Sequence, residues 1–274
     1  MSDEKVLTKE IAEQFLADEY SVDLSEFTAI EDDAAEVLSS SLQGFMSLDG
    51  LTEIPDSIAK LLFTGEPYQP NGDPFKPDDN TPLAANVSLN GLSAISDSVA
   101  ASIGKYRRED VSLRGVAELT DFAAEELSSA LDLTLGISSL SDASAKHLGR
   151  VPALRLPKLQ SLSVTAAESF GNAENAWCLE LGAVSEISDN ALQHLIKRGG
   201  NNLDLGLKAI SDQGAEILCK AQVSELYLRE VKSLSDAAAK SLFEFEGCLH
   251  LYLEDLPKSA AAILRTHPSF DDED

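Results

Sequence analysis

Cations are scarce in this chain: 21 Lys and Arg stand against 47 Asp and Glu, a formal net charge of −26 at pH 7. Phosphate backbones are held by an excess of Lys and Arg, so nucleic acid is excluded as an expected partner, and an anionic membrane surface with it. A basic protein partner is compatible with this charge, and so is mere solubility. Aromatic residues are few, at 6%. The apolar mass is Leu, Ala, Val and Ile, which in regular order suits a layered core. The three cysteines, Cys178, Cys219 and Cys248, form an odd set without a CxxC pair. They read as free thiols packed as small hydrophobes in a reducing compartment. No apolar run approaches the roughly 18 residues of a membrane span, and "MSDEKVLTKE" lacks a signal-like apolar region. The expectation is a soluble, cytoplasmic protein. GxGxxG, GxxxxGKS/T, HExxH and GxSxG are all missing. His147, His194, His250 and His267 do not fall at metal-ligand spacing with the cysteines. No enzyme activity, cofactor or metal is expected.

What is present is repetition. "VKSLSDAAAKSL" (231–242) has near-copies in "GLSAISDSVAASI" (91–103) and "GVAELTDFAAEEL" (115–127). Aligned on the Ser/Thr-Asp pair or its equivalent, the copies centre on Asp32, Asp56, Asp97, Asp121, Asp142, Asp189, Asp212 and Asp236. Degenerate copies lie at Ser163-Val164 and Lys258-Ser259. Most intervals are roughly 21 to 25 residues, and about ten units result. Each begins with a short alternating run, such as "VSLNGL", "VSLRGV", "LELG", "LDLG", "LYLREV" and "LYLEDL". The first and third residues of such a run share one strand face. A helix follows. In "SDAAAKSL", Ser235 is a candidate N-cap and Asp236 adds negative charge where the helix dipole favours it. Ala238, Ala239 and Leu242 turn inward. A calcium or catalytic reading of the Ser-Asp pairs is much weaker than capping, because capping explains where every copy stands.

A strand and a helix repeated at this period stack into an α/β solenoid: parallel sheet on the concave face, helices on the convex face. The units, written "LxLxGLxxLSDxAAxxL", resemble leucine-rich repeats. They are similar to the cysteine-containing and ribonuclease-inhibitor-like types and to bacterial proteins built of "LSDxAAxxL" copies. The resemblance runs from near Val22 to Leu264 and implies a horseshoe or arc. Where that family usually places Asn or Cys after the LxL run, this chain mostly has Gly, Val or Leu, which points to small-residue packing at the bend. Residues 1–21 are expected to form an N-terminal capping helix with Leu7, Ile11 and Phe15 on one side; a partner-binding helix is the alternative. The solenoid then occupies 22–266, "KSAAAILRTHPSF" (258–270) is expected to close its end with Phe270 folding back, and 267–274 form an acidic tail. A Pro-rich insertion at 63–85 cannot be regular helix or central strand. It carries Tyr68 and Phe75, and reads as a tolerated insertion or as a docking loop or lid.

The middle residue of each LxL run points away from the core. In order these are Asp23, Ser47, Ser88, Ser112, Asp132, Arg155, Glu180, Asp204, Tyr227 and Tyr252. Tyr227 and Tyr252 are thereby expected side by side, flanked by Arg229, His250 and Glu254. Tyr and Arg favour binding hot spots, although tyrosine also simply favours strands. These residues, with Arg155, are the candidate binding site. The resulting expectation is a non-enzymatic scaffold, favoured as a monomer, binding a protein or peptide on its concave face. An acidic inhibitor or decoy of a basic enzyme, and an enzyme with 63–85 as lid, are the alternatives.

Overall fold

The computed structural model describes residues 5–39, 45–63, 86–105 and 109–270. Tyr68 and Phe75 lie outside them. The chain divides into two compact units, Met1–Ile137 and Ser138–Asp274. In the first, β1 (Val6–Leu7), α1 (Lys9–Ala17), β2 (Ala29–Ile30) and α2 (Asp32–Ser39) precede β3 (Phe45–Ser47), α3 (Asp56–Leu62), β4 (Asn86–Ser88), α4 (Asp97–Gly104), β5 (Asp110–Leu113), α5 (Asp121–Leu127) and β6 (Asp132–Leu135). Strands β3 to β6 pair in chain order, all parallel. The second unit runs α6 (Asp142–Leu148), β7 (Ala153–Arg155), α7 (Val164–Gly171), β8 (Cys178–Leu181), α8 (Asp189–Leu195), β9 (Gly200–Leu205), β10 (Ala209–Ile210), α9 (Asp212–Leu218), β11 (Val223–Tyr227), β12 (Ser233–Leu234), α10 (Asp236–Phe243), β13 (Cys248–His250) and α11 (Lys258–Leu264). Its main sheet pairs β7, β8, β9, β11 and β13 in that order, again parallel.

The strands are too short to stand alone, and the register shows what they bury together. Leu154, Leu179, Leu203, Leu226 and Leu249 are successive partners across the strands of the second unit, and every one is buried. The helices have seven or eight residues over most of the chain, lengths that are marginal without tertiary packing. Buried alanine pairs, Ala123/Ala124, Ala166/Ala167 and Ala238/Ala239, form the inner side of their helices. No helix among the described residues is long and apolar enough to cross a membrane.

The Ser/Thr-Asp pair does what capping requires and one thing more. Ser96, Thr120, Ser141, Ser163, Ser188, Ser211 and Ser235 each accept an amide N–H from the first turn of their helix. Five of these hydroxyls also donate to the aspartate that opens the preceding helix. Ser96 bonds Asp56 at 2.6 Å, Thr120 bonds Asp97 at 2.5 Å, Ser163 bonds Asp142 at 2.6 Å, Ser211 bonds Asp189 at 3.1 Å, and Ser235 bonds Asp212. One repeat's aspartate thus anchors the next repeat's cap. Ser163→Ala removes both bonds at once and is expected to cost about 1–2 kcal/mol in urea unfolding. Asp142→Asn, which leaves the cap in place, should cost less; equal losses would mean the cap contributes nothing.

Two expected ends differ from the structure. Val6 and Leu7 pair in parallel with Ala29 and Ile30 instead of extending the helix. Only Lys9–Ala17 is helical, with Phe15 and Ala12 buried and Ile11 partly exposed. Amphipathic spacing over so short a stretch does not separate a two-residue strand from a first helical turn. At the other end the tail boundary differs: His267 is packed, and the Phe270 ring folds back to 6.1 Å from the His267 ring. His267 is 2% exposed, and the Ser269 hydroxyl accepts the Leu249 N–H at 2.8 Å, which covers the outer side of β13.

Candidate functional site

Strand register fixes which side chains share the outer face of each sheet. In the first unit the row is Ser47, Ser88, Ser112 and Thr134. The expected Asp132 instead pairs with Asp110, two residues earlier. "LDLTL" contains two overlapping LxL runs, and alternation alone cannot choose between them. Ser88 and Ser112 of this row are engaged by Asp49 and Asn90. Asp49 Oδ1 accepts the Ser88 hydroxyl at 2.5 Å and the Asn90 N–H at 2.8 Å. Asn90 Nδ2 donates to Ser88 Oγ at 2.7 Å, and Asn90 Oδ1 accepts the Ser112 hydroxyl and the Arg114 N–H, both at 2.8 Å.

The second unit's row is Arg155, Glu180, Asp204, Tyr227 and His250. The neighbour of Tyr227 is therefore His250, not Tyr252. The cause is the same ambiguity: "LHLYL" offers two frames, and the strand sets Leu249 and His250 against Leu226 and Tyr227. Tyr252 follows that strand and is 49% exposed; Glu254 sits in the next 3-10 turn, Leu253–Asp255. No hydrogen bond or ion pair ties either residue to Tyr227.

Tyr227, Arg229 and His250 do come together. The His250 ring stacks on Tyr227 with centroids 4.2 Å apart and an interplanar angle of 11°. The Arg229 guanidinium carbon lies 4.2 Å from the Tyr227 ring centroid, a cation–π distance. Arg229 also reaches Asp204 at 3.4 Å, on the β9 side, while His250 comes from β13 on the other. Both faces of the tyrosine are thus covered. Its hydroxyl donates to Glu225, two residues back on the same strand face. His250 Nε2 lies 3.3 Å from Glu225 Oε2, close enough for charge pairing when protonated but out of line for a hydrogen bond. Arg155 stands apart from this cluster, 3.9 Å from Glu180 and over the Trp177 ring at 5.9 Å.

The bond to Glu225, then burial, pushes the Tyr227 phenol up from 10.0 to about 12. The fold favours the neutral phenol, so this contribution is full below pH 10 and is lost as pH rises from 10 through 12. In an absorbance titration Tyr227 is expected to ionise above pH 10, near 12. Glu225→Ala should return it toward 10; no change would rule out the hydrogen bond as the main cause. Asp204 is also held above the usual carboxylate range, first by burial and next by Glu180 and Glu230, with Arg229 and His250 opposing.

Sequence reasoning missed Glu225 and Trp177. Period-two alternation places Glu225 beside Tyr227, a usable signal. Trp177 precedes β8, outside any LxL run, and is 40% exposed. The cysteines also divide: Cys178 is buried, Cys219 intermediate, and Cys248 exposed at the start of β13, so Cys248 is no core thiol. No three His, Cys, Asp or Glu side chains among the described residues gather as a metal site.

A short parallel strand, a bend and a capped helix, repeated with leucines in register, define a leucine-rich repeat protein, and the chain has that fold. An internalin of Listeria monocytogenes superimposes with a TM-score of 0.53 at 14% identity, covering 91% of this chain and 73% of that one. A leucine-rich repeat protein of Leptospira interrogans gives a TM-score of 0.47 at 13% identity, covering 93% and 72%. No protein-family model and no curated protein match the sequence.

Proposed function

We propose that this protein is a non-enzymatic interaction module that binds a protein or peptide through the outer sheet face of its second unit. The observation that carries the reading is the Arg229–Tyr227–His250 stack, held from both sides on a solvent-reached face. A preordered aromatic and guanidinium cluster loses little side-chain entropy when a partner covers it. The first unit's row supports the same placement by contrast. Its hydroxyls and amide bond one another, and Ser88 and Thr134 are buried.

The test is co-purification from the native host with wild type and with Tyr227→Ala/His250→Ala. Loss of one or more partners from the variant, with its circular dichroism and unfolding midpoint retained, is the expected result. Equal recovery of every partner would remove this face from consideration.

A further inference from the structure

We propose that the segment seated on this face is cationic, an extended peptide placing a lysine or arginine over the step between Glu180 and Asp204. The inference rests on the interaction reading above and adds the chemistry of the partner. Glu180 and Asp204 are register partners on adjacent strands, about 4.8 Å apart at the backbone. Each has a cation on its outer side only. Arg155 lies 3.9 Å from Glu180 on the β7 side, and Arg229, in the turn after β11, lies 3.4 Å from Asp204. Between the two carboxylates the row supplies no positive group.

Like charges facing one another across a strand step are destabilising. Asp204 registers the strain: burial, Glu180 and Glu230 all disfavour its ionised form, and Arg229 only partly offsets them. Both side chains still reach solvent, Glu180 at 33% and Asp204 at 26% exposure. A partner's ammonium or guanidinium at this step completes an alternating row of charges. An anionic segment would meet two carboxylates, and an apolar one would take two part-exposed ion pairs out of water without adding a partner.

The probe is a short, end-blocked peptide alternating Lys with Ser, compared with versions carrying Glu or Gln in place of Lys. Fluorescence anisotropy of the labelled peptide reports binding, and emission of Trp177, the single tryptophan, reports the face. The Lys peptide is expected to bind wild type, with affinity falling about tenfold in Glu180→Gln/Asp204→Asn. Glu168→Gln/Glu216→Gln removes the same charge from exposed positions on α7 and α9 and is expected to change affinity by less than about twofold. Equal weakening by both pairs, no weakening by either, or equal binding of the Glu or Gln peptide overturns the proposal. Native partners separate the two readings. A partner lost by Tyr227→Ala/His250→Ala but retained by Glu180→Gln/Asp204→Asn overturns the cation and leaves the face standing. A partner retained by both overturns both.

Discussion

Arg198→Met is expected to destabilise the second unit by about 3 kcal/mol or more, the largest loss from any single side chain described here. Arg198 is 2% exposed. Its guanidinium meets no carboxylate among the described residues. It donates to the carbonyls of Phe170 at 3.1 Å, Val151 at 3.3 Å, Pro152 at 2.9 Å and Cys178 at 2.9 Å. One side chain thereby ties together the end of α7, the entry to β7 and the start of β8. Burial pulls its pKa down to about 10, which leaves it charged at neutral pH. Methionine keeps the length and removes every donor, so carbonyls set around a cation lose it together. Lysine keeps the charge but lacks the planar fork, and Arg198→Lys should fall between. Urea unfolding followed by Trp177 fluorescence measures both. A loss below about 1 kcal/mol for methionine would mean the guanidinium is tolerated there and not needed.

Gly206→Ala is expected to cost about 2–3 kcal/mol, while Gly182→Ala changes stability by less than about 0.5 kcal/mol. The two glycines follow the register partners Leu205 and Leu181, so they hold equivalent places in consecutive repeats. A Cβ on Gly206 would stand 1.9 Å from the Gly182 carbonyl oxygen, a backbone atom that cannot swing aside. A Cβ on Gly182 meets nothing within 4 Å. The same residue at the same repeat position is therefore required in one copy and free in the next. Equal losses, compared by chemical denaturation, would mean that the backbone approach at Gly206 is not what limits the site. This contact is the close packing at the bend implied by Gly where related repeats carry Asn or Cys.

Asp132 and Tyr252 fall outside the outer row for one cause. Asp132 and Tyr252 were both expected in the outer row, and both come from five-residue stretches, "LDLTL" and "LHLYL", where every second residue is leucine. A shift of two residues maps such a strand onto itself, face for face, so local alternation carries no register information. Only the neighbouring strand decides. Val111 faces Leu133, and Leu226 faces Leu249, and Thr134 and His250 are thereby brought into line with Ser112 and Tyr227. Where the run is unambiguous, as in "VSLNGL" and "VSLRGV", the expected Ser88 and Ser112 are partners.

By itself the sequence determined the repeat, its strand-then-helix order and its helix starts. Those features are local: a hydroxyl caps the amides of its own first turn, and alternation marks its own strand. Ser163 shows the reach of this, capping α7 at 2.9 Å although valine replaces the aspartate after it. Tertiary structure alone decided what crosses between repeats. It paired five of the capping hydroxyls with the previous aspartate, buried Arg198 among carbonyls from distant positions, and set His250 against Tyr227. Each of those contacts joins residues about one repeat or more apart. Their geometry depends on how successive units stack, and no single unit's pattern encodes that.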